Sequence, residues 1–216
     1  DGMGGHKSGE VASSIAINII RDHIKQYITD EYQEQMVKGV IFEAFNRANK
    51  EIYNRSTKDY DCEGMGTTVT MALIIEEKLY IGHIGDSRAY LLRKKELQQI
   101  TEDHSLVAEL VKNGSITERE AMKHPQKNII TRSLGTDESV QVDIFSMGIK
   151  KGDILALCTD GLTNFVDKEE LRKTLLESND CYESCSTLVS LANQRGGYDN
   201  ITVLVVKNQP TFTEGR

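Results

Sequence analysis

TTVTMALIIEEKLYIGHIGDSRAYLLR, residues 67–93, is the stretch that decides the fold. It contains three successive runs rich in β-branched residues, 67–75, 78–85 and 88–93, which are separated by two very short turns. Connections this short can join only antiparallel neighbours. The stretch therefore predicts consecutive antiparallel strands.

The segment upstream has a different period. Apolar residues recur at a spacing of four from Ser8 to about Tyr27, and the pattern repeats from about Asp30 to Arg55. Ser8 is a suitable N-cap, since its hydroxyl can accept a hydrogen bond from the first helical turn. Two long helices are therefore predicted before the strands.

Downstream, helical and strand patterns alternate. The region from about 103 to 127 is polar and helical, with a capping box at Thr117 and Glu120 and an irregular loop at Lys123-His124-Pro125-Gln126-Lys127, and is predicted to be a flap over a site. Further strands are predicted at 140–147, 154–158 and 201–206, with helices begun by Asp167 (with Glu170) and by Asp180 (with Glu183). This order predicts an α+β layered domain with antiparallel sheets, one domain over 1–216, and a flexible tail at about 208–216.

Composition excludes several classes of function. A net charge of -7 and a pI near 5.3 argue against nucleic acid or an anionic membrane as partner, because both require clustered Lys and Arg. No apolar run is long enough to span a bilayer. The four cysteines show neither disulfide nor zinc spacing, and none begins the Cys-x5-Arg signature of thiol phosphatases. We expect a cytoplasmic monomer with reduced thiols.

Four aspartates occupy similar settings, between small or polar residues and an apolar strand: Asp1, Asp86, Asp160 and Asp199. A carboxylate at the end of a buried strand is costly unless a positive group neutralises it, and hard divalent cations prefer oxygen ligands. Asp160 follows one predicted strand and Asp199 precedes the next, so antiparallel pairing would bring both to one edge of a sheet. The pattern predicts a metal site suited to hydrolysis.

Seven segments, in order, resemble the protein phosphatase 2C family, especially its bacterial branch of Ser/Thr phosphatases. They are Asp1-Gly2-Met3-Gly4-Gly5-His6, Gly66-Thr67-Thr68, Gly85-Asp86-Ser87-Arg88, Asp103-His104-Ser105, Thr131-Arg132-Ser133-Leu134-Gly135, Asp160-Gly161 and Gly197-Tyr198-Asp199-Asn200-Ile201-Thr202. The resemblance covers nearly the whole chain. It implies an αββα sandwich, two antiparallel sheets flanked by helices, and hydrolysis of phosphoserine and phosphothreonine on proteins.

The resemblance also implies a set of ligands. Asp1 would bridge two ions, the Gly2 carbonyl would bind one of them, and Asp160 and Asp199 would complete the first site. Asp86, with Asp160 shared, would hold a third and weaker ion. An all-oxygen shell favours Mn²⁺ or Mg²⁺, and a water held between two such cations attacks phosphorus directly.

Two roles are open for His6, the histidine of the opening loop. It is the candidate general acid that protonates the leaving alkoxide, or it fixes the loop and caps the following helix. Two roles are also open for Arg88: it forms an ion pair that shapes the turn, or it binds the phosphate. His83 is expected to be a strand residue with its hydrogen bonds satisfied.

Three other motifs fail as nucleotide or aspartyl-phosphate sites. Gly5-His6-Lys7-Ser8 lacks the P-loop glycines, Gly64-Met65-Gly66 lacks the third glycine of a dinucleotide fingerprint, and Asp59-Tyr60-Asp61-Cys62-Glu63 lacks a leading strand. These segments are predicted to be loops.

The main departure from the family is at the beginning, where members carry a phosphate-binding arginine and an acidic ligand upstream of the Asp-Gly pair. We expect such upstream residues to have been lost from this sequence. If Asp1 were the true start, a weak or inactive binding domain would be the alternative function. Within the enzyme hypothesis the partners are a bacterial Ser/Thr kinase and its substrates, or a phosphorylated anti-sigma antagonist.

Overall fold

The computed structural model describes residues 1–3, 6–28 and 33–208, with the backbone alone described at positions 6 and 7. The secondary structure in chain order is β1 (Gly2–Met3), α1 (His6–Tyr27), α2 (Glu34–Lys58), a 3₁₀ turn (Tyr60–Cys62), β2 (Gly66–Thr67), β3 (Val69–Ile75), β4 (Lys78–Ile84), β5 (Arg88–Arg93), β6 (Glu96–Gln99), α3 (Leu106–Lys112), α4 (Glu118–Ala121), β7 (Asp143–Gly148), β8 (Ile154–Cys158), α5 (Asp160–Thr163), α6 (Lys168–Glu177), α7 (Cys181–Gln194) and β9 (Val203–Lys207).

The chain divides into two compact units. Unit 1 comprises Asp1–Leu73, Tyr80–Ser87 and Glu102–Phe145, and unit 2 comprises Ile74–Leu79, Arg88–Thr101 and Ser146–Arg216. Unit 1 contains the long helices α1 and α2, which pack on each other, and the short antiparallel pair β1 and β2. A three-stranded sheet has the order β3, β4, β7.

The core of unit 1 forms where α2 meets β4. The apolar stripe predicted from the spacing of four is buried along α2, where Ile41 and Phe45 are completely shielded from solvent. A Cβ built on Gly82 of β4 would lie 2.8 Å from the Phe45 ring and 2.9 Å from an Ile41 methyl. The strand therefore lies directly against the helix, and each large side chain buried there contributes roughly 1.5–3 kcal/mol.

Unit 2 is built on a four-stranded antiparallel sheet with the order β6, β5, β8, β9. Cys158 at the end of β8 lies opposite Arg88 on one side and Val203 on the other. The start of β5, the end of β8 and the start of β9 therefore share one edge of this sheet. Helices α6 and α7 contribute apolar side chains to its core, including Leu171, Leu175 and Leu188.

The structure confirms the α+β class and antiparallel pairing. The bounds predicted for β5 and β8 match those observed, and the predicted capping boxes begin α4 at Thr117 and α6 at Asp167. Asp180 caps α7 by accepting from the Glu183 amide. These signals are local in sequence, which is why they could be found without knowledge of the fold.

The prediction that Ser8 caps α1 is wrong. The helix already begins at position 6, and the Ser8 hydroxyl instead donates to the Asp61 carbonyl oxygen at 3.0 Å. The helix α2 begins at Glu34. Its predicted start at about Asp30 lies outside the described residues, which omit 29–32. So does most of the predicted tail, from residue 209 onward.

Four strand and helix assignments needed correction. The predicted strand at 67–75 is divided into β2 and β3, because Thr67 pairs with Gly2 and also forms a bridge with Leu134. The flap region, 103–127, is helical only in α3 and α4. The strands β7 and β9 begin three and two residues later than predicted, and the short elements β6 and α5 were not predicted at all.

Two further expectations concern the cysteines and the possibility of a membrane-spanning helix. No disulfide joins any of the four cysteines, all of which lie in the described ranges. Across the described ranges, no helix combines the length and apolar character needed to cross a membrane.

Candidate functional site

Unit 1 contains three of the predicted ligands, and the first two lie at the start of the chain. The Asp1 carbonyl oxygen accepts hydrogen bonds from the Thr68 amide at 2.8 Å and from the Thr67 hydroxyl at 2.9 Å. Gly2 pairs with Thr67, and a Cβ built on Gly2 would lie 2.0 Å from the Gly9 carbonyl oxygen. The backbone at positions 1 and 2 is therefore held between β2 and α1, in a space that excludes any side chain at Gly2.

The third, Asp86, lies in the turn that joins β4 to β5, and it is buried. Gly85 before it has φ +108°, and a Cβ there would lie 2.4 Å from the Thr68 side chain. The Thr68 hydroxyl is 2.9 Å from that of Ser87 on the other side of the turn. Thr68 thus contacts the turn that carries Asp86, and through its amide it also holds the carbonyl of Asp1.

Unit 2 contains the other two predicted ligands. Asp160 begins α5 two residues after the end of β8, and its Oδ2 accepts a hydrogen bond from the side-chain Nδ2 of Asn164 at 3.1 Å. Burial raises the pKa of the Asp160 carboxyl, and the negative charge of Asp199 raises it further. A cation between or beside these carboxylates would favour the ionised form, which is the form that binds Mn²⁺ or Mg²⁺.

Close packing fixes the segments that carry these two carboxylates. A Cβ built on Gly161 would lie 2.2 Å from the Asn200 carbonyl oxygen, so only glycine allows the two segments to approach this closely. The Thr159 hydroxyl donates to that same carbonyl at 3.1 Å and accepts from the Thr202 amide at 3.0 Å. The sheet edge predicted to unite Asp160 and Asp199 is thus confirmed within unit 2.

An ion pair anchors the loop that leads to Asp199. Arg195 at the end of α7 donates to both carboxylate oxygens of Glu170, at 2.7 and 2.5 Å, and to the Phe165 carbonyl at 2.6 Å. The hydrogen bonds from Arg195 and from the backbone amide of Asp167 lower the pKa of Glu170 to about 2. Glu170 therefore has two roles, as a capping residue of α6 and as the partner of Arg195.

The chemistry of the predicted ligands fits Mn²⁺ and Mg²⁺, the metals expected from the sequence. The predicted ligands offer carboxylate and backbone carbonyl oxygens, which suit hard cations that retain several waters. In the described part of the chain, no group of three or more His, Cys, Asp or Glu side chains forms an all-protein cage. An ion held by one or two carboxylates plus water is how Mg²⁺ is usually bound in proteins.

The opening motif is only partly described. Gly4 and Gly5 lie outside the described residues, and at His6 the side chain does too. The two roles considered for His6 both remain predictions. His83, by contrast, is confirmed as a satisfied strand residue, since its ring nitrogens lie 2.9 Å from the Thr70 hydroxyl and 3.0 Å from the Glu102 carbonyl oxygen.

Several supporting residues were not assigned roles from the sequence. Thr68 was noted only as part of a motif, and Asn164, Asn200 and Arg195 were not considered as supports of the site. Their partners are distant in sequence; Thr68 and Ser87, for example, are 19 residues apart. The one available signal was the Asp167 and Glu170 capping box, which located Glu170 but did not reveal Arg195 as its partner.

Comparison with known proteins identifies the family. A family model described as Protein phosphatase 2C matches residues 1–209. The chain is 42% identical over 214 residues to the serine/threonine phosphatase stp of Listeria monocytogenes serotype 4b, which covers 98% of this chain and 83% of that protein.

Solved structures give the same result. Serine/threonine phosphatase Stp1 from Staphylococcus aureus has a TM-score of 0.91 at 34% identity, covering 97% of this chain and 82% of that chain. The catalytic domain of serine threonine protein phosphatase PstP, solved in complex with two manganese ions, has a TM-score of 0.82 at 36% identity, covering 95% and 84%.

Proposed function

Because this chain belongs to the protein phosphatase 2C family and is a Mn²⁺- or Mg²⁺-dependent serine/threonine phosphatase, we propose that Asp1, the Gly2 carbonyl, Asp160 and Asp199 hold its two core ions. Asp86 is proposed to hold a third ion together with Asp160. Cations held there would lower the pKa of bound water and offset negative charge on the phosphoryl oxygens. The protein residues supply the ligands and fix their positions.

One observation carries the proposal. The antiparallel register of β8 and β9 places Asp160 and Asp199 at one edge of the unit 2 sheet, and Gly161 packs against the Asn200 carbonyl oxygen to hold them there. Two carboxylates near each other raise the free energy of the ionised state. A divalent cation would offset that cost, so the pair is suited to binding one.

For the substrate, we propose a bacterial Ser/Thr kinase and the proteins it phosphorylates, with the cytoplasm as the site of action and the monomer as the active form. The family acts on phosphoproteins, and the stp relative carries the name of a serine/threonine phosphatase. A phosphorylated anti-sigma antagonist is the competing substrate. The flap segment, 103–127, is proposed to contribute to the choice between them.

The assay for this proposal is phosphate release in the presence of Mn²⁺ from three substrates: a phosphothreonine peptide, an autophosphorylated Ser/Thr kinase and a phosphorylated anti-sigma antagonist. Asp160→Asn removes a negative ligand while keeping the size of the side chain. It should lower kcat by about a hundred-fold or more, which corresponds to roughly 3 kcal/mol of transition-state stabilisation. The affinity for Mn²⁺, measured without substrate, should fall as well.

The matched control is Glu169→Gln, which removes a negative charge from an exposed position in unit 2. Its activity and Mn²⁺ affinity should equal those of the unmodified protein. Equal activity of Asp160→Asn and Glu169→Gln would rule out Asp160 as a ligand. Faster turnover of the antagonist than of the kinase would reject the kinase proposal while leaving the metal ligands intact.

We propose His6 as the general acid, and the choice of leaving group tests it. Alkoxide departure from phosphothreonine needs a proton, whereas the nitrophenolate of p-nitrophenyl phosphate leaves without one. His6→Ala should therefore lose about a hundred-fold in kcat on the peptide and little on the aryl ester. Equal losses on both substrates would indicate that His6 fixes the loop instead.

A further inference from the structure

A buried histidine is attached to the turn that carries Asp86. His104 is only 2% exposed, and its Nδ1 accepts a hydrogen bond from the Gly85 amide at 3.0 Å. Its own amide donates to the Gly85 carbonyl oxygen at 2.8 Å. Both backbone polar groups of the residue before Asp86 are therefore bonded to a single residue, which is 19 positions away along the chain.

The hydrogen bonds determine the protonation state of His104. A backbone amide can only donate, so Nδ1 must carry the lone pair and the proton must be on Nε2. Nε2 lies 3.0 Å from Asp143 Oδ2 and donates to it. The neutral ring thus joins the Gly85 amide at one end to a carboxylate at the other.

The carboxylate is held in turn. Asp143 Oδ1 accepts from Arg132 at 3.1 Å, and Asp143 begins β7. Although burial opposes it, the hydrogen bond from His104 lowers the pKa of Asp143, as does the charge of Arg132. The centres of the His83 and His104 rings are 4.8 Å apart, so His83 packs against the His104 ring. His104 therefore has little freedom to rotate.

We propose that His104 is a positioning residue that sets the conformation of the Gly85-Asp86 turn and thereby the affinity of the Asp86 metal site. The proposal rests on the ligand role proposed above for Asp86. Gly85 has φ +108°, a conformation that a flexible turn would leave readily without a partner for its amide. Residues that orient a metal ligand through hydrogen bonds typically change metal affinity 10–100-fold when substituted.

Two substitutions of His104 separate its two hydrogen bonds. His104→Asn places an acceptor oxygen near the position of Nδ1, so the bond from Gly85 is kept and the bond to Asp143 is lost. His104→Gln places an amide donor near the position of Nε2, so the bond to Asp143 is kept and the bond from Gly85 is lost. The two variants are both neutral and polar, and they differ in which partner they retain.

The measurement is calorimetric titration of the metal-free full chain with Mn²⁺, without substrate. Asp86→Asn should remove the weakest site. His104→Gln should raise the Kd of that same site about ten-fold while leaving the tighter sites unchanged, and His104→Asn should behave more like the unmodified protein. The control is His124→Gln, which removes an equivalent bond from a backbone amide, that of Gln126, in the flap segment.

Each result decides something. If Asp86→Asn loses the weak site but His104→Gln binds Mn²⁺ normally, the positioning role is wrong and the ligand role of Asp86 stands. If Asp86→Asn keeps every site, the ligand role fails and the inference fails with it. If His104→Gln does not fold, His104→Leu replaces it, because leucine is close in size and likewise offers no acceptor to the Gly85 amide; an unchanged weak site in that variant would equally overturn the inference.

Discussion

The two units hold their carboxylates by different means. In unit 1 the Asp86 turn is supported by Thr68 and His104, both 2% exposed and both uncharged. In unit 2 the loop before Asp199 is anchored by Arg195 and Glu170, a charged pair of which about a third of each side chain is exposed. One support is buried and neutral, while the other is ionic and reaches solvent.

The difference has a physical cause. A charged support placed close to a buried metal ligand would shift that ligand's pKa and compete with the cation, whereas a neutral hydrogen bond fixes geometry without adding charge. An ionic anchor is tolerated where water screens it. The Arg195 charge is paired with Glu170, which is not a proposed ligand, so the pair holds the end of the loop while Glu170 offsets the positive charge.

The larger expected effect concerns the buried support of unit 1 and its response to acid. Burial, with a smaller contribution from the neighbouring His104, lowers the pKa of His83 to about 4. The unfolded state, with an ordinary histidine pKa of 6.5, binds the proton more tightly. The stabilising contribution is therefore complete above pH 6.5 and is lost as the pH falls from 6.5 to about 4, by roughly 3 kcal/mol.

Urea unfolding followed by circular dichroism between pH 7.5 and 4.5 measures this loss. His83→Gln should flatten the dependence on pH in that window, even if it lowers stability at every pH. His124→Gln in the flap segment should retain the full slope. A slope unaffected by His83→Gln would show that His83 does not control the acid stability of unit 1.

The same contrast explains what could be foreseen from sequence. The apolar stripe of α2, the strand β8 and the caps at Thr117 and Asp167 depend on residues within a few positions of each other, and all were predicted. Asp160 and Asp199 could be placed together because each adjoins a recognisable strand. Antiparallel pairing of those strands puts the end of the first beside the start of the second.

The supports could not be foreseen, because their partners are remote. The bond between His104 and Asp143 spans 39 positions, and nothing in the sequence around Asp143 distinguishes it from the other acidic residues. Arg195 and Glu170 are 25 positions apart. Short elements were missed for a related reason: a four-residue strand such as β6 is too brief to establish a period.

The smaller expected effect concerns the ionic support of unit 2. At neutral pH the pair of Arg195 and Glu170 should contribute at most about 1 kcal/mol, since both side chains are partly exposed. The contribution is present above the ordinary Glu pKa of 4.5 and is lost as the pH falls toward 2, because the hydrogen bonds from Arg195 and from the Asp167 amide together lower the pKa of Glu170 to about 2. This window lies mostly below that of His83, so the two supports can be told apart by pH.

A double-mutant cycle of Arg195→Gln and Glu170→Gln, analysed by urea unfolding at low and high salt, isolates this pair. Glu170→Gln keeps an oxygen that can accept from the Asp167 amide, so the cap of α6 is preserved and the coupling reports the ion pair. Salt should reduce that coupling, because ions screen exposed charges, and it should leave the slope assigned to His83 unchanged. A coupling of several kcal/mol, or one indifferent to salt, would mean that unit 2 relies on a desolvated anchor like that of unit 1.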